Sequence, residues 1–388
     1  MLIPDAFQSP GRLLMGPGPS NAAPTVLDAM AKPLVGHLDP TFVGMMEEIK
    51  SMLREVFQTE NPMTFPVSGT GSAGMEFCFV NLIEPGDEVV IGVNGVFGTR
   101  MCDVAERCGA SVVKVEAEWG TIIQPEQVAA ALEGRKPKLV AIVHAETSTG
   151  ALTPVEEISK LAHDAGAFFL LDTVTSLGGC PVKIDEWGVD AVYSGTQKCL
   201  SCPPGLAPVS LSPRAHEFAT SRKTKVQSWY LDVNLLSSYW GSKRVYHHTA
   251  PISMNYALHE ALRLILAEGL ENRFARHERN HHALKAGLDA MGLRIASQEG
   301  HQLWQLNAVT VPDGIDEAAV RKALLNDFNL EVGAGLGPLK GKVWRVGLMG
   351  ETSSIANVRT FLGGLGKIFN DLGRETDVDA ALAAAGGD

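Results

Sequence analysis

Asp172 and Lys198 stand 26 positions apart, each just beyond a short β-rich run, and their side chains could do chemistry together. Asp172 closes the apolar run Phe168-Phe169-Leu170-Leu171. A carboxylate there is costly unless a cation or hydrogen-bond donors meet it, and a helix N-cap or a structural ion pair would satisfy it as well as a catalytic partner. Lys198 ends Ser194-Gly195-Thr196-Gln197-Lys198, ahead of Pro203-Pro204-Gly205. In a dry, ligand-lined cleft a lysine loses proton affinity and can form a Schiff base with a carbonyl. Further upstream, Ser68-Gly69-Thr70-Gly71-Ser72-Ala73-Gly74 leads from a β-rich run into a helical one starting at Met75. Free N–H groups at a helix start, with hydroxyls beside them, make an anion site suited to a phosphate, although similar turns also serve only to pack a helix closely on a strand. An imine-forming lysine, an acid for a ring nitrogen and a phosphate anchor are together what pyridoxal 5′-phosphate requires of a protein.

These residues can meet only if the runs before them are neighbouring strands. β-rich runs fall at 64–68, 88–93, 111–116, 138–144, 168–172, 191–195 and 206–211. Several are apolar on successive residues, as in Leu139-Val140-Ala141-Ile142-Val143, so both faces are buried. Helix-period stretches lie between them, for example 155–162 after Pro154. This alternation predicts an open, mostly parallel seven-stranded α/β sheet with helices on both sides, whose ligand site lies beyond the carboxyl ends of the strands. A long helical stretch over 255–291 follows. Beyond it, strands at 305–311 and 342–346 and helices at 317–328 and 355–372 predict a smaller α+β domain. The expected division is an arm at 1–20, a large domain at 21–270, a small domain at 271–376 and a fraying Ala- and Gly-rich tail at 377–388.

Composition bounds the possibilities. The chain has 388 residues, a formal net charge of −11, 45% hydrophobic and 20% charged residues, an ordinary globular balance that excludes disorder as the main state. With no basic stripe to neutralise phosphates, a nucleic-acid partner is not expected. The longest apolar stretches fall far short of the roughly 20 residues of a membrane span. Residues 1–8 carry no leader pattern and the end at 386–388 matches no targeting tripeptide. Six irregularly spaced cysteines, all at or before Cys202, make no disulfide framework, so a reducing cytoplasm is the expected compartment.

From Leu14-Met15-Gly16-Pro17-Gly18-Pro19-Ser20 to Trp344-Arg345-Val346-Gly347-Leu348-Met349-Gly350 the chain resembles the class V aminotransferases of fold type I, above all the alanine/serine–glyoxylate aminotransferase group. The resemblance rests on Ser68-Gly69-Thr70-Gly71, His144-Ala145-Glu146-Thr147-Ser148-Thr149-Gly150, Asp172-Thr173-Val174, Ser194-Gly195-Thr196-Gln197-Lys198 and Tyr246-His247-His248-Thr249, in that order. It implies pyridoxal 5′-phosphate as cofactor, with Lys198 as its Schiff-base partner and proton shuttle and Asp172 keeping the ring nitrogen protonated. Val174 would pack under the ring and Phe97 on its other face, where many relatives have Trp. Thr70, Gly71 and Gln197 would hold the phosphate, and Thr147 the ring hydroxyl oxygen. Ser72 stands where some relatives have His. Tyr246 and Thr249 would reach the phosphate of a partner subunit, making a homodimer part of the site. Arg345 would grip the substrate carboxylate bidentately.

Three other patterns compete for attention. His277-Glu278-Arg279-Asn280-His281 spells a zinc-protease motif, which a zinc hydrolase would use. Yet both histidines fall within the apolar stripe Leu270, Phe274, His277, His281, Leu284, Leu288 and Met291, as buried structural histidines do, and no metal is expected. Cys199-Leu200-Ser201-Cys202 lacks a second pair, and Gly337–Val343 is one residue short of a P-loop and has Val343 in place of the magnesium-binding hydroxyl.

The fold type also hosts desulfurases, lyases and decarboxylases. A desulfurase needs a reactive thiol in the C-terminal part, and no Cys follows Cys202. Desulfurases and many decarboxylases also place His directly before the lysine, where Gln197 stands. The expectation is therefore a ping-pong transaminase that takes an amine from alanine or serine and gives it to a 2-oxo acid, foremost glyoxylate. A ureidoglycine-using sub-family is the nearest alternative, and 57–59, 118–121 and 185–187 resemble it. Those enzymes carry Gln where His37 stands and Asn where Tyr246 stands, and His37 is a candidate for the donor pocket or a plain surface loop residue. A cofactor-binding protein without catalysis is the remaining option.

Overall fold

The computed structural model describes residues 5–386, so part of the leader reading over 1–8 and the last two residues lie outside it. Seven strands form the central sheet: β1 (Met63–Ser68), β2 (Glu88–Val93), β3 (Ser111–Glu116), β4 (Leu139–Val143), β5 (Phe168–Asp172), β6 (Ala191–Tyr193) and β7 (Leu206–Leu211). Their spatial order is β1-β7-β6-β5-β4-β2-β3. All neighbours are parallel except β7, which runs antiparallel to β1 and β6. The mostly parallel sheet expected from the doubly apolar runs is therefore present.

Side-chain alternation along each strand divides the large core in two. Leu139, Ala141 and Val143 of β4, with Phe168 and Leu170 of β5, join one apolar cluster. Val140 and Ile142, with Phe169 and Leu171, join the cluster on the other side. Helices cover both, which is why the central strands β4 and β5 are buried on both faces. Asp172, the next residue in step with Phe168 and Leu170, projects from the first face, as does its register neighbour Tyr193 on β6.

Beyond the sheet, the single helix expected over 255–291 is two, Ile252–Glu268 and Leu270–Ala290. They part at Gly269, whose φ of +82° is outside helical space and redirects the chain toward the C-terminal part. There Leu306–Thr310, Val343–Gly347 and Gly333–Ala334 form an antiparallel sheet in that order. Helices Glu317–Phe328 and Ile355–Asp371 pack on it around a third core. The N-terminal segment is more than an arm: Leu13–Leu14 pairs in parallel with Leu330–Glu331, and Met15 is buried in the same core.

The tail does not fray. Val378–Ala385 is a helix capped by Asp377, whose carboxylate accepts from the Ala380 N–H at 2.9 Å. Ala381 is fully buried. Small residues make this docking possible: a Cβ on Gly287 would stand 2.2 Å from Leu362 Cδ1 and 3.2 Å from the Ala381 carbonyl oxygen. An Ala-rich sequence looked solvent-tolerant, but it is what lets a helix lie flush on another. Among the described residues no helix is long and apolar enough to cross a membrane, and all six cysteines are free and buried.

Replacing Ala381 by Glu puts an unpaired carboxylate into that contact and should lower stability by about 2–4 kcal/mol, read as the shift of the urea unfolding midpoint. An unchanged midpoint would mean that the terminal helix is not docked in solution.

Candidate active site

The carboxyl ends of β1, β2, β5 and β6 converge on a cavity of about 320 Å³ lined by Thr70, Phe97, Asp172, Val174, Gln197 and Lys198, among others. Each lining residue arrives by a short local device. After β1 the chain turns at Gly69, and Thr70 is the extended residue before helix Gly71–Leu82, its hydroxyl not used as a cap. Thr70, Gly71 and Ser72 thus bring a helix N-terminus, with its partial positive charge, to the cavity wall. After β2, Gly95 precedes helix Val96–Arg107, whose first turn carries Phe97.

Asp172 is buried, and two donors meet it: the Tyr193 hydroxyl reaches Oδ2 at 2.7 Å and the Val174 N–H reaches Oδ1 at 2.8 Å. Burial still pushes its pKa up to about 6, against the pull of these bonds. Lys198 is 7% exposed, with its Nζ donating to the Pro17 carbonyl. Burial, then the nearby Arg345 charge, bring its pKa down to about 8. A lysine that is partly neutral near physiological pH faces a carboxylate that is mostly ionised there. The Gln197 Oε1 is buried without a hydrogen-bond partner, so the cavity wall holds an unused acceptor beside the cation and the helix start.

Arg345 comes from the C-terminal antiparallel sheet, on strand Val343–Gly347. Its Nε donates to the Ala334 carbonyl at 2.7 Å and its Nη1 to the Thr147 carbonyl at 3.3 Å. Burial lowers its pKa to about 10, so it is charged at neutral pH, and these hydrogen bonds go to carbonyls and not to a carboxylate. Thr147 is buried beside it, its hydroxyl bonded to that of Thr175 at 2.7 Å. Neither Thr147 nor Arg345 lines the cavity itself. Tyr246, Thr249 and His37 stand apart from it in the same chain: Tyr246 is 59% exposed, and the His37 ring lies 5.2 Å from the Tyr246 ring.

The Aminotransferase class-V family matches residues 13–341 of the sequence. The chain belongs to that family. It is 41% identical to the (S)-ureidoglycine–glyoxylate transaminase of Bacillus subtilis over 97% of this chain and 95% of that protein. It is 39% identical to the alanine–glyoxylate aminotransferase of Drosophila melanogaster over 95% of each. Among solved structures, an alanine–glyoxylate aminotransferase from Nostoc sp. superposes with a TM-score of 0.93 at 52% identity, covering 95% of this chain and 98% of that one.

For a class-V aminotransferase the cofactor is pyridoxal 5′-phosphate, and the cavity fits it. A helix start suits a phosphate, the Asp172 carboxylate suits a ring N–H, and Lys198 can supply a neutral amine. The zinc pattern does not fit a metal. His277 accepts from the Gly350 N–H through Nε2 at 2.9 Å and so donates from Nδ1 to the Arg273 carbonyl at 2.7 Å, which leaves no ring nitrogen free. His281 Nδ1 is bonded to Asn307 Oδ1 at 2.7 Å. Cys199 and Cys202 are buried thiols whose pKa burial pushes up to about 12. Residues Gly337–Leu339 form a short 3-10 turn ahead of the Arg345 strand.

Sequence reasoning missed Tyr193, Arg100 and the Gly18–Pro19 wall of the cavity. Tyr193 was findable: it ends the strand next to that of Asp172, in register with it. Tyr193→Phe keeps the buried ring and removes one donor to ionised Asp172, a bond worth roughly 1.5–3 kcal/mol, so the Asp172 pKa should rise by at least about one unit. Infrared titration of the carboxylate in cofactor-free protein, with Asp172→Asn as blank, reads this directly. A titration that does not move would remove Tyr193 from the site.

Proposed function

We propose that the chain is a homodimeric transaminase that takes the amino group of alanine or serine and passes it to glyoxylate in two half-reactions. The observation that carries this reading is the buried pair of Lys198 and Asp172, one partly neutral and the other mostly ionised, beside the unpaired Gln197 acceptor. Relatives named for glyoxylate, at 39–52% identity, support that acceptor.

When bound, pyridoxal 5′-phosphate supplies an electron sink for the negative charge left when the substrate α-carbon loses its proton. The chain's own residues do the rest. Lys198 Nζ accepts that proton, a role for which a pKa near 8 is well matched. Asp172 holds the ring nitrogen's proton, and Tyr193 and the Val174 N–H hold Asp172. Thr70, Gly71, Ser72 and Gln197 bind the phosphate, Thr147 the ring hydroxyl oxygen, and Phe97 and Val174 confine the ring. Arg345 presents its guanidinium fork to the substrate carboxylate.

Tyr246 and Thr249 complete the phosphate site from a second copy, and His37 sits with them at the donor pocket. The exposure of Tyr246, Val245 and Trp229 in one stretch of chain is consistent with such an interface. The six unpaired cysteines suit a reducing compartment, the cytoplasm. Ureidoglycine is the second reading, favoured by the Bacillus relative. His37 and Tyr246, where ureidoglycine-using enzymes have Gln and Asn, favour the smaller donors.

A panel of alanine, serine and ureidoglycine with glyoxylate or pyruvate, followed by half-reaction spectra, decides the donor; fastest turnover with ureidoglycine would overturn the alanine/serine reading. Lys198→Ala should abolish turnover and change the visible spectrum, and a colourless wild type with an unchanged variant would end the cofactor reading. Arg345→Ala should raise the KM of carboxylate donors roughly 10- to 100-fold, from the loss of a charge-assisted pair of about 1.5–3 kcal/mol; an unchanged KM would place Arg345 outside the site.

A further inference from the structure

One buried ionisable group near the cavity has no role in the chemistry described so far. Glu146 is fully buried, in the short ladder that pairs Ala145 with Leu152 and Glu146 with Ala151. Its Oε1 accepts from the Ser148 N–H at 3.0 Å and the Ser148 hydroxyl at 2.6 Å, and its Oε2 from the Phe97 N–H at 3.1 Å. Three donors face this carboxyl, an arrangement that suits the ionised form. Burial still raises its pKa above the usual carboxylate range, against the pull of these donors.

Glu146 and Ser148 each meet the start of one helix. Gly95, the N-cap of Val96–Arg107, has no side chain with which to cap it. The Val96 N–H instead donates to Ser148 Oγ at 3.0 Å, and the Phe97 N–H to Glu146 Oε2 at 3.1 Å. The helix is thus capped by side chains from another part of the chain, with a negative charge where its dipole is positive. The approach depends on Gly95: a Cβ there would lie 2.4 Å from Glu146 Cγ and Cδ. The capped turn carries Phe97, which lines the cavity. One residue beyond Glu146, the Thr147 carbonyl receives Arg345 Nη1.

We propose that Glu146 is a positioning residue for cofactor binding: with Ser148 it caps the Phe97 helix from outside and thereby sets the aromatic wall of the cavity. This rests on reading the cavity as the pyridoxal 5′-phosphate site. Glu146→Gln keeps the side chain's size but turns an NH₂ group toward N–H donors, so one side of the clamp must open.

The experiment is equilibrium dialysis of full-length holoprotein, giving the dissociation constant of pyridoxal 5′-phosphate, together with the visible circular dichroism of the bound cofactor. Glu146→Gln should bind about tenfold more weakly, ~1.4 kcal/mol, with a reduced dichroic band. Phe97→Ala should weaken binding as well, and adding Glu146→Gln to it should cost little more, because the clamp then has no ring to place. Wild-type affinity in Glu146→Gln, or losses that simply add in the double variant, would overturn the proposal. If Glu146→Gln does not fold, Ser148→Ala in the same cycle decides between the same two outcomes. A wild type that retains no cofactor would overturn the reading of the cavity itself, and is told apart because no variant is needed to see it.

Discussion

The structure depends on keeping four ionisable groups charged or chargeable in a place with little water. Lys198, Asp172, Glu146 and Arg345 are all buried, and burial alone would neutralise each of them. What opposes it differs from group to group. Asp172 has a hydroxyl and one N–H, Glu146 has three donors, and Arg345 has two carbonyls. Lys198 has least, a single carbonyl, and its pKa falls to about 8.

That electrostatic arrangement explains why the sheet is built as it is. Groups of opposite demand must be close yet separately supported, and the carboxyl ends of adjacent parallel strands provide this, since each strand delivers its last residue and then an independent turn. Asp172 and Tyr193 are register neighbours on β5 and β6. The turn after β1 brings a helix start, and the helix after β2 brings an aromatic ring. The C-terminal antiparallel sheet adds Arg345, a cation that no strand of the seven-stranded sheet supplies. Residues Glu146 to Ser148 touch both sides, holding the Phe97 helix and receiving Arg345.

Much of this was legible from the chain. Several of the seven strands, such as Leu139–Val143 and Phe168–Asp172, were marked by runs apolar on successive residues, because strands buried on both faces need not alternate. Asp172 and Lys198 were visible because a charge just after an apolar strand demands a reason. The terminal helix was not, since Ala and Gly read as loose when they in fact permit close helix packing at Gly287. The break at Gly269 was hidden because helix periodicity continues on both sides of it, and the departure is in one backbone angle. Glu146 was quoted within a motif, but nothing local distinguishes a carboxylate that will be surrounded by donors from one that will face water.

The sequence by itself therefore determined the class of fold, which follows from the periodicity of burial, and pointed to Lys198 and Asp172 as the residues to look for at the strand ends. Only the tertiary structure decided which donors hold Asp172 and Glu146, and that both nitrogens of His277 are spent within the fold. It also decided that Phe97 owes its place to residues some fifty positions away. Hydrogen bonds between distant segments leave no periodic trace along the chain, because each donor and acceptor is common and only their meeting is rare.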